Sequence, residues 1–407
     1  MIRLPSSLVL PLVLLGLGAP APALARPPEA PVSAAPAAAA DRARMNQRVF
    51  DAVWEEVRRA YYDPGLHGVD WRAARETWRP RALAAQDERQ LYRALSGMLD
   101  LLDDDHAGAQ PPAGVRRQEA LRQRRAVIGF TLAREADATY RVEQVRAGSP
   151  ADEAGIGLGW RLRAIDGQDW GPDFDVVEGR EVRLSLIDDA GAERETVVVP
   201  RVMEPIPAFS ADRSRPGVVV LRAEGFEAGL GRWVAEQLRD VAPETDIVLD
   251  LRSNPGGRLN EVEAVLACFL PRGQEWARRT GRNGRVVVLR AQSGCGGRDA
   301  PLTNDLAVLV DGASRSAAEL TPAALQQFNR AVVVGEKTAG AVLISQDTDL
   351  PDGGRLTLSR ADLVMRDGAR LEKTGVTPDA VVPRSIQDRR EGRDPQLEAA
   401  IELLARS

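Results

Sequence analysis

Residues 305–327 read DLAVLVDGASRSAAELTPAALQQ, an apolar strand, a turn of small residues and a helix in immediate succession. Ser316 falls at the start of that helix, where unpaired backbone N–H groups favour negative charge. A serine there has two readings. It is an N-cap that satisfies the first turn, or a nucleophile whose reaction is stabilised by those same N–H groups. Pro322 argues for a kink in a helix that begins so close to it.

The same alternation recurs on either side. GVVVLRA (217–223), DIVLDLR (246–252), RVVVLRA (285–291) and AVVVG (331–335) read as strands, and RLNEVEAVLACFL (258–270) reads as a helix opened by the turn Asn254-Pro255-Gly256-Gly257. Strands and helices in alternation predict an α/β domain over 204–407, and no repeat with a period of 20–50 residues supports a solenoid.

Further out, residues 43–110 carry helical periodicity: Val49, Val53, Val57 and Tyr61, then Leu91, Leu95, Met98 and Leu102. They predict a small helical N-terminal domain. Residues 1–25 have Arg3, the apolar run SLVLPLVLLGLG and the small-x-small site Ala23-Leu24-Ala25, which together predict a signal peptide cut before Arg26. The alternative is an uncleaved anchor, and without a cysteine near the cut a lipoprotein is not expected. Residues 26–42 are rich in Ala and Pro and read as a disordered leader. These features place the chain in the periplasm or outside the cell, with no transmembrane segment after cleavage.

A net charge of −5 gives no electrostatic reason to expect nucleic acid, and RRQEALRQRR (116–125) reads as a solvated helix or linker. Cys268 and Cys295 are equally readable as a disulfide or as buried thiols. Two histidines and two cysteines form no metal-ligand cluster in the sequence, so neither a metal nor another cofactor is expected.

Within 111–203, a linker leads into short β-type runs, AVIGFTL, TYRVEQV, RLRAIDG, REVRLSLI and ETVVVPRV, with GSPADEAGIGLGW between the second and third. Their order resembles a PDZ domain. The resemblance places Ile128, Gly129 and Phe130 in the carboxylate-binding loop, which implies capture of a peptide C-terminus that adds as a strand. A PDZ-like module used only for packing or gating is the plainer alternative.

Across the chain, DLRSNPGG (250–257), FLPRG (269–273), GASRSAAEL (312–320), VVVGEKTAG (332–340), LPDGG (350–354) and EKTGVTPD (372–379) follow in one order. That series resembles the tail-specific (C-terminal processing) and tricorn-type serine peptidases. The resemblance implies a catalytic domain of the crotonase/Clp-protease-like α/β type and a peptide or protein substrate. Counting back three residues from Glu319 gives Ser316, not Ser314, as the family's nucleophile. Its oxyanion donors map to the N–H of Ala317 and that of Gly256 or Gly257. The lysine of the Ser-Lys branch maps to Ala341, its supporting glutamine maps to Ser345, and Lys337 lies four residues early. A lysine near its free pKa of ~10.4 would not accept a proton at neutral pH.

The tricorn-type branch uses a histidine and a distant glutamate instead. LLDDDHA (101–107) resembles the segment bearing that histidine, which maps to His106, and the glutamate maps to Glu372. Asp103, Asp104 and Asp105 are expected to raise the pKa of the imidazole. His67, in a turn-like run, reads as a surface residue. The resulting expectation is a serine endopeptidase in which His106 deprotonates Ser316 and Glu372 orients the imidazole. Two other readings remain: a catalytically inactive peptide- or apolar-ligand-binding protein, as the resemblance to interphotoreceptor retinoid-binding protein suggests, and a small-substrate esterase or amidase.

Overall fold

The apolar run forms the strand Leu306–Val310, buried along its whole length. The computed structural model describes residues 34–120, 125–134, 139–169, 174, 176–292 and 295–406. The expected signal peptide and most of the leader lie outside the described residues. Leu306–Val310 lies inside a six-stranded sheet whose spatial order is Ala380–Val381, Val332–Gly335, Leu306–Val310, Asp246–Asp250, Val218–Ala223 and Phe209–Asp212. Every pair is parallel except the last.

Successive strand residues point to opposite faces, and here both faces are covered. Val219, Leu221, Ile247, Leu249, Val308 and Val310 pack with the helices Leu230–Gln237, Leu259–Leu266 and Ala317–Gln327. The alternate residues Val218, Val220, Val248, Ala307 and Leu309 pack with Ala400 and Leu404 of the helix Pro395–Leu404. That two-sided burial explains why these strands are apolar without interruption. It also brings Ser316 to the carboxyl ends of the parallel strands, the edge from which such sheets present their chemistry.

RVVVLRA departs from expectation. Its strand, Val286–Arg290, joins a separate antiparallel sheet with Glu275–Gly281, Arg355–Met365, Ile344–Asp349 and Gly108–Gln110. The run at Glu275–Gly281 (EWARRTG) carries too many charged residues to read as a strand, and its long-range partners decide it.

The N-terminal helices Ala34–Ala60, Trp71–Leu83 and Glu88–Leu99 turn their expected residues inward: Val49, Val53, Val57, Tyr61, Leu95, Met98 and Leu102 are fully buried. The first helix starts at Ala34, inside the stretch expected to be disordered up to residue 42, because an alanine-rich run has the highest helix propensity and tolerates Pro36 in a first turn. Residues 42–407 pack as one unit. The helices share their core with Leu350, Leu356 and Leu358, and Gly108–Gln110 pairs with Arg355–Thr357. Arg360 meets Glu56 at 2.6 Å, and the Arg282 guanidinium donates to the carbonyls of Arg58 and Tyr61 at the end of the first helix. The helical N-terminal segment therefore packs directly onto the antiparallel sheet of the larger body.

The β-rich segment is a five-stranded antiparallel sheet in sequential order, Phe130–Arg134, Tyr140–Val145, Arg161–Ile165, Val182–Ile187 and Glu193–Val198. AVIGFTL is not one strand. It breaks at Gly129 (φ +101°), and Arg125–Val127 pairs instead with Arg201–Met203. A Cβ on Gly129 would lie 2.1 Å from that of Ser149, so only glycine lets the short helix Pro150–Glu153 approach here. Cys268 and Cys295 are joined as a disulfide.

Candidate active site

Ser316 is the half-exposed residue just before the helix Ala317–Gln327, in a left-handed, non-helical conformation (φ +52°, ψ −116°). A non-glycine residue held there costs about 1–3 kcal/mol, so its neighbours must impose it. The chief agent is Glu319. Its fully buried carboxylate accepts hydrogen bonds from Ser316 N (2.9 Å), Thr338 Oγ1 (2.6 Å), Gly340 N (2.7 Å) and Ala341 N (2.9 Å). Ser316 N also approaches Ala341 O at 2.9 Å. Ser314, by contrast, is fully buried, and its hydroxyl is committed to Leu251 O (2.8 Å) and Asp311.

The Asn254–Gly257 turn lies against Ser316. A Cβ on Gly256 (φ +95°) would fall 2.7 Å from Ser316 Cβ and 3.1 Å from Ala317 N. The Gly256 N–H already donates to Asn254 Oδ1 at 2.8 Å. The N–H groups of Gly257 and Ala317 have no acceptor among the described residues, the latter because it opens a helix.

The tertiary structure brings His106 and Glu372 together from opposite ends of the chain and adds Asp104. One donor atom from each lies within 4.8 Å of the others. His106 Nδ1, Asp104 Oδ2 and Glu372 Oε1 are all buried without hydrogen bonds. The other oxygens are fixed: Asp104 Oδ1 accepts from His106 N (2.8 Å), and Glu372 Oε2 from Val342 N (2.8 Å) and Leu343 N (3.2 Å). Residues that are scattered in the sequence, and so form no cluster there, thus gather three donor atoms in space.

Burial sets the charges here. It pulls the His106 pKa below its ordinary 6.5, more strongly than Asp104 raises it; Arg315, Asp105 and Glu319 also act on the ring. The expected upward shift is reversed because desolvation outweighs the carboxylates, of which Asp103 Oδ1 and Asp105 Oδ2 each meet Lys373 Nζ at 3.3 Å. Burial likewise pushes the Glu372 carboxyl up, against the two backbone N–H donors. Arg315 and Glu319, which flank Ser316 in sequence, are near enough for their charges to act on the His106 ring. No hydrogen bond joins His106 to Ser316 among the described residues; in ligand-free enzymes such bonds often tighten only around substrate.

Neither lysine of the chain is suited to act as a base. Ala341, at the expected lysine position, is fully buried, and Lys337 is exposed. For Lys373 partial burial is outweighed by Asp105 and Asp103, which raise its pKa and hold it charged. His67 is exposed, as expected of a surface residue. Its Nδ1 pairs with Leu102 O and its Nε2 with the Tyr62 hydroxyl, both at 2.8 Å, bracing the segment that leads to His106.

Residues 217–382 match peptidase family S41, and residues 43–100 match the tricorn protease C1 domain. A carboxyl-terminal-processing protease of a Picosynechococcus species is 30% identical over 371 residues, covering 86% of this chain and 87% of the relative. The chain belongs to peptidase family S41. As an S41 protein it is a serine-type peptidase of the C-terminal-processing and tricorn kind. A second carboxyl-terminal-processing protease, from a Synechocystis species, is 29% identical over 88% of this chain and 86% of its own. The photosystem II D1 C-terminal processing protease shares the fold, with a TM-score of 0.60 at 22% identity over 83% of this chain and 93% of its own. No helix among the described residues is long and apolar enough to cross a membrane.

Three contributors to this S41 site escaped the sequence reading: Glu319 as organiser, Asp104 as a third inward group and Lys373 as the clamp on Asp103 and Asp105. Glu319 had a signal, because Ser316-Ala-Ala-Glu319 is a capping-box pattern. Which of three consecutive aspartates turns inward had none.

Proposed function

We propose that the protein is an exported endopeptidase that cleaves peptide chains through an acyl-enzyme on Ser316, with His106 as general base and Glu372 orienting it. The observation that carries this reading is the convergence of His106 and Glu372, 266 positions apart in the numbering, with the charges of Arg315 and Glu319 on either side of Ser316 acting on the same imidazole. In this mechanism His106 Nε2 takes the Ser316 proton while Nδ1–H donates to Glu372 Oε1. Burial keeps the imidazole neutral at pH 7, as a base must be. Ala317 N–H and Gly257 N–H are the oxyanion donors favoured by geometry, since Gly256 N–H is spent on Asn254. Water then releases the acyl group, with His106 returning its proton.

The disulfide supports an oxidising compartment, and with it the export expected from residues 1–25. The parallel sheet with Ser316 at its carboxyl edge fits a crotonase/Clp-type catalytic domain. The strand Phe130–Arg134 is an edge of its sheet, which supports docking of a peptide C-terminus near Ile128, Gly129 and Phe130 by a PDZ-like mode.

The test is labelling by a serine-directed fluorophosphonate. Wild type should label at Ser316, Ser316→Ala should not, and His106→Ala and Glu372→Gln should label far more slowly, with Lys337→Ala unchanged. Folded wild type that fails to label would favour the ligand-binding alternative, and undiminished labelling in His106→Ala would remove the triad.

A further inference from the structure

The proposed hydrolysis uses one carboxylate against one imidazole, yet two carboxylates converge on His106. Asp104 is 8% exposed, and its Oδ2 is buried and unpaired beside an unpaired His106 Nδ1 and an unpaired Glu372 Oε1. Each carboxylate has its second oxygen pinned by backbone N–H groups, which aims one free oxygen per residue as a monodentate donor.

We propose that Asp104, His106 and Glu372 form a binding site for a divalent transition-metal ion of the zinc class, and that the ion switches the peptidase off. One imidazole nitrogen and two carboxylate oxygens, with a fourth position for water, suit Zn²⁺. Calcium and magnesium demand six or more oxygen ligands. Tetrahedral zinc holds donors at about 2.0–2.1 Å, so modest side-chain rotations must draw the three together from within 4.8 Å. His106 is the histidine that can serve: His67 uses both ring nitrogens, and both cysteines are in the disulfide.

The switch follows from tautomer chemistry. A metal on Nδ1 leaves the single proton of the neutral ring on Nε2, where it cannot accept a proton from Ser316. The same ion occupies Glu372, the partner that would otherwise stabilise the charged ring. No bond is made or broken in the protein, so a chelator reverses the effect. This switching half rests on His106 being the base; the binding half does not.

The experiment uses tag-free Ser316→Ala and wild-type protein, stripped with chelator and titrated with Zn²⁺ against a chromophoric chelator. A single ion should bind per chain in both. Affinity should fall about tenfold or more in Asp104→Asn, His106→Ala and Glu372→Gln, and stay unchanged in Asp103→Asn, whose side chain faces Lys373. Co²⁺ added to wild type should give the visible absorption of a four-coordinate N/O site, which covers the case of variants that fold poorly. Fluorophosphonate labelling of wild type should fall with Zn²⁺ occupancy and return on chelation. Binding undiminished in His106→Ala, or no four-coordinate Co²⁺ spectrum, would overturn the site. Full labelling at saturating Zn²⁺ would overturn the switch. If metal-free wild type never labels, the hydrolase reading fails, while the Zn²⁺ titration of Ser316→Ala still decides the site.

Discussion

Burial and charge pull in opposite directions on His106, and burial wins. The base form is therefore present down to a lower pH than for a free imidazole. The acid limb of kcat/KM should lie below pH 6.5, with the slope of a single proton, and a limb above 6.5 would contradict the buried, neutral ring. Stability follows the same sign. The unfolded chain protonates near 6.5 and the folded ring only at lower pH, so this contribution is lost as pH falls from 6.5 through the folded value. On the proposed mechanism, replacing Glu372 with Gln should cost about 10³–10⁴ in kcat while leaving the fold intact, because the imidazole would then lose the partner assigned to fix its tautomer. Steady-state kinetics alongside circular dichroism would separate that from unfolding.

At the scale of single elements, the Ser316 turn is held by contacts that no isolated strand–helix unit could make. Glu319 ties it to residues 338–341, and Glu372 reaches Val342 and Leu343 on the same loop, so one stretch of backbone links serine to glutamate. Glu319→Ala leaves several buried donors unsatisfied, each worth about 1–3 kcal/mol, and should lower stability by about 3 kcal/mol or more in denaturant titration. Gly256→Ala should behave differently. Its Cβ would displace Ser316 by way of a 2.7 Å contact, so kcat should drop about 10²-fold for a smaller loss of stability. Equal losses in both measurements would show that the turn supports the fold rather than the reaction. Removing the Cys268–Cys295 disulfide, which spans 27 residues, should cost about 3–4 kcal/mol.

At the scale of the molecule, the segment bearing His106 is fixed in place because the N-terminal helices pack onto the rest of the body. Leu350, Leu356 and Leu358 complete the helical core, and Gly108–Gln110 extends the antiparallel sheet just after His106. Deleting residues 42–110 should therefore give insoluble protein rather than a folded, inactive catalytic domain; a soluble fragment with a cooperative thermal transition would refute this. Supplying the helices as a separate chain should not restore labelling unless the strand Gly108–Gln110 is included.

The sequence by itself determined the two-faced apolar strands of the parallel sheet, the helical faces built on Val49, Val53, Val57, Leu95 and Met98, the break at Gly256-Gly257 and the position of Ser316. Each depends on local periodicity or backbone freedom, which neighbouring residues encode. Only the tertiary structure decided which of Asp103, Asp104 and Asp105 turns inward, that Val286–Arg290 leaves the parallel sheet, that Cys268 pairs with Cys295, and that His106 is driven neutral rather than charged. Those outcomes depend on burial and on partners far away in the chain, and desolvation has no value until the fold has closed around the group.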